Sequence, residues 1–277
     1  MDNLQNTPGD TLNKVQDNSS SSDNCDMEIA DGSPLISIIT ITYNAESEIG
    51  PTLESLNRQT FRNFEHLVID GASSDNTLAM VKEMSPDSIV ISEPDKGLYD
   101  AMNKGLRAAK GEYVLFLNAG DSLHSPDILR RYAERRGANI IYGDTIIVDS
   151  ERNFIKPRHL SAPKKLTFKS FSKGMLVCHQ AFMVLRSIAP EYDLQYRFSA
   201  DYEWTLKCLR SSDPTHNVNI DTIAIDYLSD GLTDKNHKAS LKERYKIMCR
   251  YYGTLPTILR HIGFAVRNIL RKFHLHS

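Results

Sequence analysis

The stretch GEYVLFLNAGD, residues 111–121, joins an apolar run to side chains that bind ligands. Its apolar part, Tyr113 to Leu117, is too short for a globular helix and is bounded by turn-forming residues, so we predict a buried strand of a parallel sheet. Ligands of open α/β sheets bind beyond the carboxyl ends of the strands, where Asn118 and Asp121 lie. These two residues are therefore candidates for contact with a ligand or metal ion, although Asn, Gly and Asp are also common in strand-to-loop turns.

A second acid, Asp201, lies in the sequence FSADYEW, residues 198–204. We predict that a helix begins here, with Trp204 and residues 206–209 packed inward. Ser199 or Asp201 is suited to cap that helix. The residue types alone leave both a structural and a chemical role open for Asp201.

The elements that would position these acids alternate between strand and helix. The predicted strands are residues 35–42, 64–69, 89–91 and 113–117, and apolar residues at helical spacing follow each of the first three. The connections are too short for anything except right-handed parallel crossovers. The first half is therefore predicted to be a Rossmann-like α/β unit with a mostly parallel sheet, in which Tyr43, Asp70 and Asp121 follow the carboxyl ends of different strands.

Several function classes lack support in the sequence. No GxGxxG motif follows the first strand and no GxxxxGK[ST] motif occurs, so neither a dinucleotide fingerprint nor a phosphate loop is present. A net charge of -2 gives no reason to expect nucleic acid as a partner. The four cysteines are far apart, without the spacing of a disulfide scaffold or a zinc site.

The location predicted from the sequence is cytoplasmic. No signal segment is visible, and no run approaches the roughly 18 apolar residues that span a bilayer. Residues 1–33 are polar and acidic, which predicts a disordered tail. After Asp121 we predict a helix over residues 125–135 and strands over residues 140–142, 146–148 and 223–227.

Residues 236–277 are predicted to form a basic helical region, and no acidic residue occurs from Arg244 to Ser277. An apolar stripe runs along this segment, through Ile258, Ile262, Val266, Ile269 and Phe273. A basic amphipathic helix suits peripheral contact with an anionic membrane surface. Docking on the protein's own domain or on a second subunit explains the pattern equally well.

Four motifs in order, ISIITITYN, VIDGASSDNT, SEPDKGLYDAMNKGL and GEYVLFLNAGD, resemble family 2 glycosyltransferases, in particular those of colanic-acid-type surface polysaccharides. The resemblance is strong from Pro34 to about Asp127 and weak beyond. It implies a GT-A domain over residues 34–235, with a nucleotide-sugar-binding half at residues 34–127 and an acceptor-side half at residues 128–235, followed by a C-terminal helical extension.

The resemblance also implies roles for single residues. Tyr43 and Asp70 match positions that contact the base and ribose of a nucleotide sugar. The other residues on the donor side are Lys96, Asp100, Asn103 and Asn118. Lys96 could pair with the diphosphate, but an exposed lysine beside Gly97 is also common.

Asp121 matches the carboxylate that binds a divalent cation, and hard oxygen ligands suit Mg²⁺ or Mn²⁺. The family's Asp-rich cluster is here Asn-Ala-Gly-Asp, with a single carboxylate, so we expect weak metal affinity without substrate. His179 and Gln180 are implied to border the donor phosphate or the acceptor. A lone histidine in an apolar stretch is also often structural.

Asp201 matches the general base, which takes the proton of the acceptor hydroxyl in an inverting transfer. Glu203, two residues on, is the rival base. Residues 229–233, Ser-Asp-Gly-Leu-Thr, resemble a loop that closes over the donor.

The resemblance therefore implies a metal-assisted, inverting hexosyltransferase that uses a UDP- or GDP-linked sugar and a glycan or lipid-linked saccharide acceptor. A nucleotidyltransferase would normally show a basic, Gly-rich N-terminal loop, which is absent. The alternative from another class is a non-catalytic nucleotide-sugar-binding or scaffold protein. The single carboxylate in Asn-Ala-Gly-Asp favours that alternative, whereas the presence of Asp201 argues against it.

Overall fold

A computed structural model describes residues 32–229 and 237–263. The predictions for the N-terminal tail before residue 32, for the loop at residues 230–233 and for the basic segment beyond residue 263 therefore lie outside the described residues. The predicted boundaries of the two halves and of the C-terminal region remain predictions.

The described chain has a mixed α/β fold, as predicted from the sequence. The strands are β1 Ile36–Thr42, β2 Phe64–Asp70, β3 Ile89–Ser92, β4 Tyr113–Phe116, β5 Ser122–Leu123, β6 Ile140–Val148, β7 Phe154–Pro157, β8 Phe182–Leu185 and β9 Asn217–Leu228. The helices are α1 Ile49–Asn57, α2 Thr77–Met84, α3 Leu98–Ala108, α4 Ile128–Ala133, α5 Ala200–Ser211 and α6 His237–Tyr252, and a further helix covers residues 254–263.

The parallel arrangement predicted for the first half is present. β1 lies between β2 and β4 and pairs with both in parallel, and β2 pairs in parallel with β3. All seven residues of β1 are buried, because helices cover both faces of this part of the sheet. The carboxyl ends of β1, β2 and β4 consequently meet at one edge.

The second half extends the sheet in the order β3-β2-β1-β4-β8-β6-β9-β5, with β7 paired to β6. β8 is antiparallel to β4 and β6, whereas β6 and β9 are parallel. The two strands predicted at residues 140–142 and 146–148 are wrong in one respect, since β6 runs through Gly143-Asp144 without a break and only its register shifts there. A side chain at Gly143 would lie 2.9 Å from the Ala224 Cβ of β9, so glycine lets the strands stay paired.

Aromatic packing fixes the start of α5 against the end of β4. Trp204 of α5 is fully buried and stacks on Tyr192 at a ring distance of 5.0 Å, and it meets Phe116 of β4 edge-on at 5.7 Å. The Trp204 indole donates to the Pro190 carbonyl at 2.7 Å, so its polar group is satisfied. This cluster holds the first turn of α5 beside the carboxyl end of the central strand.

Among the described residues, no helix combines the length and the apolar composition needed to cross a membrane.

Candidate active site

Asp121 lies in the turn that follows β4, where the backbone crosses to β5. Asp121 is 5% exposed, and its carboxylate accepts two hydrogen bonds, from the Leu228 backbone N–H to Oδ1 at 3.1 Å and from Gln180 Nε2 to Oδ2 at 2.8 Å. Gly120, just before it, has φ +99° and packs against Leu228. A side chain at Gly120 would therefore be strained.

Burial raises the pKa of the Asp121 carboxyl to about 7. The hydrogen bonds from Leu228 and Gln180 and the positive charge of Arg152 act in the opposite direction. Burial dominates because removing a carboxylate from water disfavours its charged form. A cation placed beside Asp121 would favour the ionised carboxylate.

Gln180 owes its orientation to Cys178. The Cys178 thiol donates to Gln180 Oε1 at 2.6 Å, which directs the Gln180 NH₂ group toward Asp121. Burial raises the pKa of Cys178 to about 11, so this thiol keeps its proton at neutral pH. Both residues lie at the short turn His179–Ala181 that precedes β8.

Asp201 lies in the first turn of α5 with one fifth of its side chain exposed. Tyr99 donates its hydroxyl to Asp201 Oδ1 at 3.2 Å, and His179 Nδ1 lies 3.7 Å from Oδ2. Burial lowers the pKa of His179, while the nearby Asp201 raises it. His179 Nε2 is buried and, among the described residues, has no hydrogen-bond partner.

Glu203, the rival base, faces a different part of the molecule. It is fully buried, pairs with Lys207 Nζ at 2.9 Å and accepts from the Tyr251 hydroxyl of α6. The Lys207 pair lies within α5, and the Tyr251 hydrogen bond joins α5 to α6. Glu203 therefore has a structural role, and Asp201 is the acid of this turn that remains open to solvent.

Two residues predicted on the donor side have their polar atoms engaged within the fold. Asp70 is fully buried and accepts from the Ser73 backbone N–H and hydroxyl and from the Ser92 hydroxyl, at 2.5 to 2.9 Å. Asn103 is 2% exposed and bonds to both the N–H and the carbonyl of Tyr192. Direct contact of either residue with a donor stays a prediction.

Other predicted donor-side residues are accessible. Tyr43, at the end of β1, is 66% exposed, and Lys96 is exposed, with its backbone N–H bonded to Asp100 Oδ2 at 2.9 Å. A side chain at Gly71 would lie 2.9 Å from Asp95 Oδ2 and 3.2 Å from the Tyr43 ring. Asp95, which sequence reasoning did not single out, therefore lies close to Tyr43. The only indication of this in the sequence is that Asp95 directly precedes Lys96 in the motif SEPDKGLYDAMNKGL.

Arg152 is a second residue that sequence reasoning missed. It lies in the turn between β6 and β7, donates from Nη1 to the Gly120 carbonyl at 2.7 Å, and interacts electrostatically with Asp121. Its φ of +68° is unusual for an arginine. Because β6–β7 pairing brings this turn to the site, sequence spacing gave no signal for it.

The donor set around Asp121 fits an ion that arrives together with a diphosphate. Among the described residues, no group of three or more His, Cys, Asp or Glu side chains could hold a metal. Asp121 offers one carboxylate, and Asn118 Oδ1 in the same turn is buried without a hydrogen-bond partner in the described part of the chain. Mg²⁺ and Mn²⁺ accept such oxygen ligands, and phosphate and water would supply the others.

Comparison with known proteins identifies relatives of this chain. A family model described as Glycosyl transferase family 2 matches residues 37–192. A PGL/p-HBAD biosynthesis glycosyltransferase of Mycobacterium bovis is 35% identical over 187 residues, which cover 63% of this chain and 70% of that protein. A UDP-Glc:alpha-D-GlcNAc-diphosphoundecaprenol beta-1,3-glucosyltransferase of Escherichia coli is 28% identical over 219 residues, covering 77% and 85%.

Solved structures share the fold. Staphylococcus aureus TarS 1–349 in complex with UDP superposes with a TM-score of 0.61 at 17% identity, covering 78% of this chain and 64% of that one. The mannosyltransferase PcManGT of Pyrobaculum calidifontis, in complex with GDP-Man and Mn²⁺, gives a TM-score of 0.52 at 16% identity and covers 80% and 64%. The chain thus spans slightly less than two thirds of each of these two structures.

Proposed function

Because the chain belongs to glycosyltransferase family 2, we propose that it moves a sugar from a nucleoside-diphosphate donor to an acceptor hydroxyl with inversion of configuration. One observation carries this proposal. Asp121 contacts Gln180 and Asp201 lies beside His179, so consecutive residues connect the proposed donor and acceptor sides.

Asp201 is the proposed general base. An inverting transfer needs a group that takes the proton of the acceptor hydroxyl as its oxygen attacks the anomeric carbon. The partly exposed carboxylate of Asp201 is accessible to such a hydroxyl, the Tyr99 hydrogen bond holds its orientation, and His179 lies beside it. The proton passes to a carboxylate oxygen, and the nucleoside diphosphate leaves from the opposite face of the sugar.

The donor side is formed by residues at the carboxyl ends of the strands. Tyr43 would stack on the base, and the nearby Asp95 would accept hydrogen bonds from it or from the ribose. Lys96, Asp100 and Asn118 complete the proposed donor contacts, and Asp70 and Asn103 stay candidates for such contacts. The solved relatives that bind UDP, UDP-GlcNAc or GDP-Man support a UDP- or GDP-linked donor.

Asp121 and Asn118 are the residues that would hold Mg²⁺ or Mn²⁺. When bound, the ion would supply positive charge to the diphosphate that leaves. Gln180 keeps the Asp121 carboxylate in place, and Arg152 adds a second positive charge nearby. Solved structures of similar fold that contain Mn²⁺ support the use of a divalent cation.

We propose a lipid-linked saccharide or a growing glycan as the acceptor, since one relative is named for PGL/p-HBAD biosynthesis and another for a diphosphoundecaprenol-linked sugar. We also propose that the transferred sugar is a hexose and that the product belongs to a colanic-acid-type polysaccharide. The proposed location is the cytoplasm, at the inner face of a membrane.

A thermal-shift screen of nucleoside diphosphates with and without Mn²⁺, followed by donor hydrolysis, tests the proposal. We expect one nucleotide to raise the melting temperature, more strongly with Mn²⁺, and its sugar conjugate to be hydrolysed slowly. Binding without any turnover, with or without acceptor extracts, would favour the non-catalytic scaffold. No shift with any nucleotide would contradict both functions.

A further inference from the structure

A cavity of about 480 Å³ lies between the turn Ser170–Lys173 and the helix at residues 254–263, and neither Asp121 nor Asp201 is part of its lining. We call it the basic cavity. It is lined by three cationic and three hydroxyl side chains, namely Lys169, Lys173, Arg260, Thr167, Ser170 and Ser172. No carboxylate is part of this lining.

The positive charge of the basic cavity is not compensated by the described part of the protein. The ion pairs between described residues do not include Lys169, Lys173 or Arg260. Arg260 Nη1 is also buried without a hydrogen-bond partner among these residues. A buried guanidinium N–H without an acceptor is costly, and an anion in the cavity would supply one.

The sequence explains why charge accumulates here. Residues 152–190 and 244–277 are two stretches without a single Asp or Glu. The fold packs them together, since the rings of Phe168 and Tyr252 lie 4.9 Å apart and the Tyr252 hydroxyl donates to the Phe168 carbonyl at 2.6 Å. Cations from both stretches therefore face one cavity.

The two lysines project from a turn held by its own hydrogen bonds. Ser172 donates its hydroxyl to the Lys169 carbonyl at 2.7 Å, and the Thr167 and Ser170 side chains bond to each other's backbone N–H groups at 3.0 Å. On the opposite wall, the Arg260 guanidinium lies 5.4 Å from the centre of the Tyr252 ring. Both walls of the basic cavity therefore have defined contacts within the fold.

The helix that carries Arg260 also exposes an apolar stripe. Leu255, Ile258, Leu259 and Ile262 follow the i, i+3, i+4, i+7 spacing and are 39% to 68% exposed. Cations beside exposed apolar side chains are typical of protein surfaces that bind anionic bilayers. A free anion would contact the cations only, whereas an anionic lipid in a bilayer would bring both the cations and the apolar side chains into contact with a membrane.

We propose that the basic cavity binds the phosphate group of an anionic membrane lipid while the apolar stripe enters the adjacent bilayer surface. The proposal rests on the proposed function in one respect, since it names the surface that would bring Asp201 to a lipid-linked acceptor. The binding itself does not require catalysis.

Flotation of the full chain with vesicles tests this proposal. We expect binding to vesicles that contain phosphatidylglycerol and little binding to phosphatidylcholine alone. The double variant Lys169→Gln/Lys173→Gln should bind about 25-fold more weakly, at about fivefold per cation. The matched control Lys82→Gln/Lys156→Gln, which neutralises two exposed lysines elsewhere, should bind like the wild type.

A second pair of variants tests the stripe. Leu255→Ser/Leu259→Ser should lose vesicle binding, whereas Leu194→Ser/Leu241→Ser, at similarly exposed positions, should keep it. Both pairs lie on the surface, so unchanged melting temperatures will show that they fold.

Three results would overturn the proposal. These are equal binding of the two lysine variants, equal binding of both vesicle types, and stabilisation by inorganic phosphate without any vesicle binding. If Leu255→Ser/Leu259→Ser instead dissociates a dimer without changing flotation, a second copy covers the stripe and the lipid is excluded. Donor hydrolysis by the wild type without vesicles reports on the proposed function separately.

Discussion

Gln180 Nε2 donates a 2.8 Å hydrogen bond to Oδ2 of Asp121. The residue before it, His179, places Nδ1 3.7 Å from Oδ2 of Asp201. One dipeptide thus connects two acids that are far apart in the sequence. A substitution in this turn should therefore affect both the surroundings of Asp121 and those of Asp201.

Replacing Gln180 by Leu removes a donor from the buried Asp121 carboxylate. Loss of a hydrogen bond to a charged group costs about 1.5–3 kcal/mol, so we expect nucleoside diphosphate affinity in the presence of Mn²⁺ to fall roughly 10- to 150-fold. Isothermal titration calorimetry measures this directly. Unchanged affinity would show that the Gln180–Asp121 contact does not support the donor side.

Cys178 offers a finer test of the same network. In Cys178→Ser a hydroxyl can replace the thiol as donor to Gln180, whereas Cys178→Ala leaves Gln180 Oε1 without that donor. We therefore expect the serine variant to bind nucleotide more like the wild type than the alanine variant does. Equal affinity of the two variants would mean that Cys178 does not orient Gln180.

Tyr43→Ala should weaken nucleotide binding without affecting stability, because the ring is largely exposed. Stacking of a base on an aromatic ring contributes about 1–3 kcal/mol, which predicts a roughly 5- to 150-fold rise in Kd, and Tyr43→Phe should retain most of the affinity. Phe154→Ala, at an exposed aromatic residue elsewhere, is the matched control. Similar Kd values for Tyr43→Ala and the control would contradict the assignment of Tyr43 to the base.

The first half of the fold could be predicted from the sequence because its signals are local. Apolar runs such as Ile36–Thr42 are strands buried on both faces, and turn residues mark their ends. The continuous strand Ile140–Val148 was not predictable, since Gly143 and Asp144 resemble a turn and only the neighbouring strand β9 shows why glycine is needed.

The sequence could predict those residues of the candidate site that follow the carboxyl ends of parallel strands, because these ends meet at one edge of the sheet. Asp121 follows the central strand, and its place at the carboxyl edge follows from the parallel topology. Arg152 reaches the site through antiparallel pairing of β6 and β7, and Glu203 is turned away by its contact with Tyr251 of α6. Both depend on long-range packing, which a single sequence does not specify.

His66 should make the stability of the protein sensitive to acid. Burial lowers the pKa of this histidine from 6.5 to about 4, while its ring nitrogens bond to Thr40 and Ser88. Because the unfolded chain takes up this proton more readily than the folded protein does, the free energy of unfolding is highest above pH 6.5. It falls as the pH decreases from 6.5 toward 4. The loss amounts to about 2 kcal/mol at pH 5.

Urea unfolding of wild type and His66→Gln at pH 7.5 and pH 5 measures this effect. The variant should lose less stability between the two pH values than the wild type does. His159→Gln, at an exposed histidine, should behave like the wild type. An identical acid-induced loss in all three proteins would contradict the account of His66.

The most direct test compares Asp201→Asn with the wild type in sugar transfer and in donor binding. We predict that transfer falls by about 10²- to 10⁴-fold, the typical contribution of general base catalysis, while the Kd for the nucleoside diphosphate stays within about twofold. Glu203→Gln should instead lower the melting temperature through its lost contacts with α6. Transfer that persists in Asp201→Asn, in a folded protein that binds donor normally, would contradict the central claim.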